Sequence, residues 1–274
     1  MPSEPIPDTL ICRWASDWDA KIASWIAAGP SDMGLPHLLE AYKANGAETT
    51  LDLNALPEPY VGDPLAENFD AVMLTLNPGE SGLRQMHPDG ELVREIRQDL
   101  YYAGAKHYLL KETRAWWSER AAWPARLLGD RGGGGIVGID LVPWHSKRWG
   151  TLNLDGNQPV LSYLKDNVLT PATRISDKSR LTRISGLGVP ILLAVGSQHL
   201  SWLAALDFEL RAEHDHKTSC PEWPGRKDGA PSKRAIRLFF ANDRSVAVLQ
   251  TGARGTFKVP HVDFDPIVRR MLRL

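Results

Sequence analysis

Cysteine is scarce in this chain, with only Cys12 and Cys220 among 274 residues. One chain therefore supplies neither the four thiolates of an iron–sulfur cluster nor a disulfide framework. Long apolar runs are also missing, since no stretch approaches the ~20 apolar residues that span a bilayer. Residues 1–10 lack the basic start and apolar run of a signal peptide. We therefore expect a cytoplasmic protein that has no membrane partner.

An excess of charge of either sign is lacking as well, because the net charge is -1. This balance argues against a protein that coats nucleic acid through a basic field over its whole surface. The charges are unevenly spread, however: Asp and Glu crowd the first hundred residues, whereas Arg and Lys dominate after Lys147. A local basic face is compatible with that distribution.

Apolar runs and helical patterns alternate along the chain. Strands are predicted at Phe69–Leu76, Ile136–Leu141, Pro190–Val195, Ala235–Ala241 and Val246–Gln250. Helices are predicted at about 11–28, 36–44, 91–102, 114–128, 160–169, 178–184, from 197 through 206, and 265–274 with Asp263 or Asp265 as N-cap. Residues 53–64, rich in proline, are predicted to be a loop that wraps over the domain.

This alternation predicts an α/β fold, a three-layer sandwich with a central, mainly parallel sheet of four to five strands flanked by helices. We divide the chain into an N-terminal helical extension, 1–68, and an α/β domain, 69–274, which together form one compact unit. In such folds the ligand crevice lies outside the carboxyl ends of the strands. The residues that follow each strand are therefore the candidates for chemistry.

The strand ends carry recognisable groups. The first strand ends in Leu76-Asn77-Pro78-Gly79, the second in Asp140-Leu141-Val142-Pro143, the third in Gly196-Ser197, and the last in Leu249-Gln250-Thr251. This succession resembles the uracil-DNA glycosylase superfamily. Leu76–Gly79 is similar to the Gly-x-Asn-Pro-Gly motif of its mismatch-specific uracil/thymine branch. The resemblance covers roughly residues 69–260.

The resemblance implies a set of catalytic groups. Asn77 would orient the attacking water through its side-chain carbonyl, a positioning role. Glu80 would be the base if its loop turns it inward, the alternative being a surface charge at a helix start. Ala253 stands where the family has a loop histidine, and Arg254 beside it would stabilise negative charge on the leaving base or contact a phosphate.

The base pocket would be formed by Pro78, Gly79 and Asp140. Where the uracil enzymes have a tyrosine that closes the pocket against C5 substituents, Gly79 leaves room. Asp140 occupies the place of the family's base-reading Asn; an ionised carboxylate accepts from the N4 amine of cytosine, and a raised pKa would let Asp140 share a proton with N3. The alternative for Asp140 is a capping or buried salt-bridged aspartate.

Further residues are predicted to contact DNA. They are His145, Ser146, Lys147, Arg148, Ser197, Phe257 and Lys258. The basic members would bind backbone phosphates, and Phe257 would enter the base stack. For His145 and Phe257 a core position is the alternative.

The expected function is a monofunctional DNA glycosylase that flips a pyrimidine and hydrolyses its N-glycosidic bond. Gly79 and Asp140 favour a C5-modified cytosine, including glycosylated forms in phage DNA, and hence a role in antiviral defence. The alternatives are a uracil or mismatch repair glycosylase and a DNA-binding member of the fold without activity. The motif loops carry no Schiff-base lysine. We expect a monomer that binds DNA and uses neither a metal nor a cofactor.

Overall fold

The computed structural model describes residues 9–44, 51–76, 111–146, 150–215, 235–252, 259–260 and 262–274. Its strands are β1 Tyr42–Ala44, β2 Tyr60–Val61, β3 Ala71–Thr75, β4 Ile136–Asp140, β5 Gly150–Leu152, β6 Ile191–Val195, β7 Glu209–Asp215, β8 Ala235–Phe240 and β9 Ala247–Thr251. Its helices are α1 Thr9–Ala28, α2 Pro36–Ala41, α3 Lys111–Leu128, α4 Gln158–Tyr163, α5 Thr170–Ser176, α6 Arg180–Ile184, α7 His199–Ala205 and α8 Asp265–Leu272. A π-helical segment, Leu164–Leu169, joins α4 to α5.

One sheet of seven strands, in the order β2-β4-β3-β6-β9-β8-β7, forms the centre of the molecule. Its four inner strands β4, β3, β6 and β9 are parallel, and β2, β8 and β7 add to them in antiparallel pairing. The predicted α/β class with a mainly parallel sheet is confirmed, whereas the expected four to five strands were too few. The two outermost strands were missed because β2 has two residues and β7 carries charges.

Both faces of the parallel strands are buried, which explains their unbroken apolar sequences. Val72 and Leu74 of β3 belong to one hydrophobic cluster, whereas Ala71 and Met73 belong to a second cluster on the opposite face. The first cluster includes side chains from α1, α5 and α7, and the second includes side chains from α3 and α8. The sheet is thus the middle layer of three.

Most buried apolar residues before β3 belong to the first of these clusters, and residues of the segment 52–61 pair with β4 and with the chain that follows it. Strand β2 pairs with β4, and Asp52 forms an isolated antiparallel bridge with His145. Farther along, β1 pairs with β5. The helix expected at 36–44 ends at Ala41 because the next three residues pair with β5. One hydrophobic core therefore contains side chains from both sides of the expected boundary at residue 68.

The amino ends of β3 and β4 are joined by a buried carboxylate. Asp70 accepts from the backbone N–H groups of Gly133 and Gly134, at 2.7 and 3.1 Å, and from Arg180 Nη1 at 3.0 Å. A Cβ on Gly134 would lie 2.6 Å from Arg180 Nη1 and 2.8 Å from the carbonyl oxygen of Asn68. The glycine run 132–135 therefore allows the close approach that holds these two strands together.

Two further expectations concern helices. Of the two N-caps proposed for α8, Asp265 instead lies in the first turn, Phe264 takes the N-cap position, and the Asp265 carboxylate binds Arg126 at 2.9 Å. Among the helices of the described residues, none combines the length and apolarity needed to cross a membrane.

Candidate functional site

The strand order reverses between β3 and β6. The chain leaving β3 proceeds to β4 on one side, whereas the chain leaving β6 proceeds through α7 to β7, β8 and then β9 on the other. A crevice is expected outside the carboxyl ends of such a pair of strands. Several buried polar side chains lie at or just beyond this edge of the sheet: Thr75, Asp140, His145, Ser146, Gln198, His199, Gln250 and Thr251.

Asp140, the last residue of β4, is the centre of the buried polar groups. Its side chain is 2% exposed, and the Thr75 hydroxyl donates to its Oδ1 at 2.6 Å. Burial raises the pKa of the Asp140 carboxyl well above its ordinary value, and the nearby charge of Glu58 raises it further. The Thr75 hydrogen bond acts in the opposite direction. The balance of these effects favours the neutral form of the Asp140 carboxyl group over its ionised form.

Glu58 reaches this site from the segment before the sheet. The backbone N–H of Glu58 donates to the Pro143 carbonyl at 2.7 Å, and the N–H of Asp140 donates to the Pro59 carbonyl at 3.0 Å. The Glu58 side chain is 1% exposed, and its Oε2 lies 3.4 Å from His145 Nε2. The pairing of β2 with β4 thus brings a second buried carboxyl group to the same end of β4.

Two tyrosines line the same region. Tyr163, from the end of α4, is buried, and its pKa is raised by burial and by the negative charge that Asp140 would carry. The Tyr42 hydroxyl and the Ser146 hydroxyl are hydrogen-bonded at 2.7 Å in the interior. Burial raises the pKa of Tyr42, and its bond to Ser146 lowers it. Both phenols therefore stay protonated and offer O–H donors.

The turn after β6 is held by hydrogen bonds from two glutamine side chains, Gln198 of the turn and Gln250 of β9. Gly196 has a φ of 114°, and a Cβ there would overlap the Gln198 side chain. The Gln198 amide donates to the Val195 carbonyl at 2.9 Å, and the Gln250 amide donates to the Gly196 carbonyl at 2.9 Å. Ser197, predicted to bind DNA, is the half-buried residue of this rigid turn.

His199 follows this turn at the start of α7 and is completely buried. Its Nδ1 accepts from the Trp202 indole at 3.0 Å, which requires the neutral ring. Burial lowers the pKa of His199 to about 3, against a raising contribution from the Val195 backbone. This end of the sheet thus holds a carboxyl group with a raised pKa at the end of β4 and a neutral imidazole after β6.

Of the sequence-predicted site residues, four lie within the described residues: Asp140, His145, Ser146 and Ser197. His145 and Ser146 are both 2% exposed and face Glu58 and Tyr42, so a phosphate contact would require their exposure on binding. The others lie outside the described residues: Asn77, Pro78, Gly79, Glu80, Lys147, Arg148, Arg254, Phe257 and Lys258.

Sequence reasoning missed Glu58, Thr75, Tyr163 and His199. The sequence does contain a signal for Thr75, because this residue is the polar one at the carboxyl end of an otherwise apolar strand. Glu58 stands between two prolines, a context that indicates a loop and reveals no contact with β4. Its place depends on the antiparallel pairing of β2 with β4.

An open groove lies at the opposite end of the parallel strands. A groove of about 940 Å³ is bordered by the π-helical segment, the end of α7 and the turn between β8 and β9. Its ionisable residues are Lys165, Asp166, Arg174, Asp177, Asp207 and Asp243, all exposed. We favour the carboxyl edge as the functional site because desolvated ionisable groups mark reactive sites better than groove size does.

Within the described residues, no group of three His, Cys, Asp or Glu side chains is placed to hold a metal ion. Comparison of the chain with protein-family models, with curated proteins and with solved structures gives no match.

Proposed function

We propose that the protein is a DNA glycosylase of the uracil-DNA glycosylase type, acting on a cytosine that carries a substituent at C5. The observation that supports this most directly is Asp140, a buried carboxyl group at the carboxyl end of β4 whose pKa is raised well above its ordinary value by burial. The motif resemblance places the base-reading residue of the family at the same position.

A neutral carboxyl group complements the edge of cytosine. Its O–H donates to N3, and its carbonyl oxygen accepts from the N4 amine, whereas an ionised carboxylate only accepts. As the C1′–N1 bond breaks, its electron pair moves onto the base, and the Asp140 proton passes to N3. Water bonds to C1′, and the proton it releases restores the acid. Cytosine, a poor leaving group when unprotonated, departs as a neutral molecule.

The remaining parts of the proposal come from the family resemblance. Asn77 would orient the water, and Gly79 would leave space for the C5 substituent. Arg254 would meet charge that builds on O2 of the base. A pocket shaped for a bulky C5 group would hold ordinary cytosine loosely, which would spare host DNA while attacking phage DNA with modified bases.

The test is release of free base from four oligonucleotides that differ at one position: uracil, cytosine, 5-hydroxymethylcytosine or its glycosylated form. Wild-type protein is expected to release a modified cytosine fastest and to leave an alkali-labile abasic site. Asn77→Ala is expected to lower turnover by ~10²-fold while DNA binding survives. Binding without release from any of the four oligonucleotides would indicate a non-catalytic DNA-binding protein.

One observation favours the uracil alternative. A neutral carboxyl group also complements uracil, donating to O4 and accepting from N3–H. Asp140→Asn separates the two readings, because an amide serves uracil as well but has no proton to give to cytosine N3. Uracil as the best substrate, with a preference unchanged in Asp140→Asn, would replace modified cytosine by uracil in the proposal.

A further inference from the structure

Three polar side chains lie side by side across the antiparallel part of the sheet. Glu213 of β7 is opposite Arg237 of β8, and Arg237 is opposite Gln250 of β9. Directly opposite residues share a face of the sheet and lie within reach of each other. Arg237 Nε lies 2.7 Å from Glu213 Oε1, and Arg237 Nη1 donates to Gln250 Oε1 at 3.2 Å. The three residues therefore form one connected row, which begins at an outermost strand and ends beside the parallel strand β6.

The row continues into the turn after β6. Gln250 is fully buried, and its amide nitrogen donates to the Gly196 carbonyl at 2.9 Å. A side-chain amide has one accepting oxygen and one donating NH2 group, whereas an arginine only donates. The contact with Arg237 thus requires the Gln250 oxygen to face β8, which leaves the NH2 group for Gly196. Arg237 therefore determines which end of the amide meets the turn.

The Gly196 carbonyl in turn sets the direction of the next N–H group. The Gly196–Ser197 peptide is trans, so its C=O and N–H groups point in opposite directions. With the carbonyl held by Gln250, the Ser197 N–H points away from Gln250. The N–H of Gly196 donates to the Thr251 carbonyl at 2.7 Å, so β9 holds this glycine through both of its backbone polar groups.

We propose that Arg237, supported by Glu213, is a positioning residue that holds the Gln250 amide so that the turn after β6 presents the Ser197 N–H to a phosphate of DNA. The part that concerns DNA rests on the proposed function. Backbone N–H groups are common ligands of DNA phosphates, and a donor that is held in place beforehand avoids the cost of ordering on binding. The inference gives the antiparallel strands β7 and β8 a part in DNA binding.

The state of the turn can be measured at a single peptide group. The dipeptide Gly-Ser occurs once in the sequence, at 196–197. Cell-free synthesis with carbon-13 in the glycine carbonyls and nitrogen-15 in the serine amides therefore gives one peak in an NMR experiment that correlates each carbonyl with the next N–H. Gln250→Met removes the hydrogen bond to Gly196 and should move the carbonyl carbon of this peak upfield.

The variants of the row should move the peak in a fixed order. Arg237→Met keeps an apolar stem but removes the donors, so its peak should move toward that of Gln250→Met. Glu213→Met should move it in the same direction by less, because a partly exposed ion pair contributes little. Arg237→Lys, which keeps a donor, should lie between Arg237→Met and the wild type.

A peak that stays at the wild-type position in Arg237→Met and in Glu213→Met would overturn the inference. If the variants of Arg237 and Gln250 do not fold, Glu213→Met decides alone, because the Glu213 side chain is 35% exposed and its loss leaves no buried gap.

DNA binding supplies the second readout. Fluorescence anisotropy with the 5-hydroxymethylcytosine oligonucleotide should show an affinity about tenfold lower in Arg237→Met, the effect of one misdirected hydrogen bond to a charged group. The matched control is Arg211→Met, which removes the same charge from β7, where Arg211 forms an exposed ion pair with Glu209. This control should stay within about twofold of the wild type.

Equal losses of affinity in Arg237→Met and Arg211→Met would mean that charge alone is responsible and would overturn the positioning role in DNA binding. If the wild type binds no oligonucleotide, the proposed function fails together with the phosphate contact. The carbonyl peak is measured without DNA, so it still decides whether Arg237 positions the turn.

Discussion

Asp140 and Asp243 lie at opposite ends of the parallel strands, and the pKa of the aspartate side chain is shifted in opposite directions at the two places. Asp140, at the carboxyl edge, is buried, and its pKa is raised by burial. Asp243, in the turn that borders the open groove, is exposed, and its pKa is lowered, chiefly by hydrogen bonds from Ser245. Burial favours the protonated form of Asp140, whereas hydrogen bonds favour the ionised form of Asp243.

The two edges differ because of what covers them. The end of β4 and the chain after it pair with residues of the segment 52–61, and the polar groups there are buried. The groove edge is formed by helix ends and a tight turn, and its charges stay solvated. The open groove therefore carries ordinary surface chemistry, whereas the covered end of the strands carries groups with shifted pKa values, as functional sites commonly do.

The largest expected effect is on the rate of base release, which should fall when Asp140 is replaced but not when Asp243 is. Asp140→Asn should lower the single-turnover rate of base release by ~10²-fold or more, because the amide has no acidic proton. The matched control, Asp243→Asn, keeps a carbonyl acceptor for the Ser245 N–H and should stay within about twofold of wild type. Comparable losses in both variants would mean that the difference between the edges has no catalytic meaning.

A second prediction concerns the pH dependence of stability. In the unfolded chain Asp140 ionises near its ordinary pKa of 3.8, whereas in the folded protein it stays protonated to a higher pH. The contribution of Asp140 is thus fully present below pH 3.8 and is lost as pH rises through the folded pKa, at about 1.4 kcal/mol for each pH unit between the two values.

Asp140→Asn should therefore gain stability relative to the wild type between pH 4 and pH 7, as measured by urea unfolding at each pH. Asp243→Asn should instead lose stability relative to the wild type as pH rises, because a carboxyl group with a lowered folded-state pKa stabilises the folded protein above its unfolded-state pKa. This trend should be much smaller, because water screens the exposed Asp243 site. A wild-type minus Asp140→Asn difference that does not change with pH would show that Asp140 titrates normally.

The smallest expected effect is the contribution of His199 to the loss of stability at acid pH. Its pKa of about 3 in the folded protein lies below the ordinary value of 6.5, so the unfolded chain takes up a proton first as pH falls. Stability is consequently lost as pH falls below 6.5, and His199→Asn, which keeps an acceptor for the Trp202 indole, should lose less between pH 7 and pH 5. Equal acid sensitivity of variant and wild type would show that His199 is accessible to protons.

Much of this fold could be predicted from the sequence, because β3, β4, β6, β8 and β9 are apolar runs bounded by turns. Asp140 was found because it ends such a run. Glu58 and Tyr163 could not be found in this way. They reach Asp140 through pairing and packing between segments distant in the chain, and a local pattern does not encode those contacts.

The central claim is that a neutral Asp140 protonates the departing base, and the pH profile of single-turnover base release by the wild-type protein tests it most directly. With a C5-substituted cytosine in the oligonucleotide, the account predicts a rate that is constant at low pH and falls as pH rises through the raised pKa of Asp140. A rate that instead increases with pH, as an enzyme requiring an ionised carboxylate would show, would contradict it.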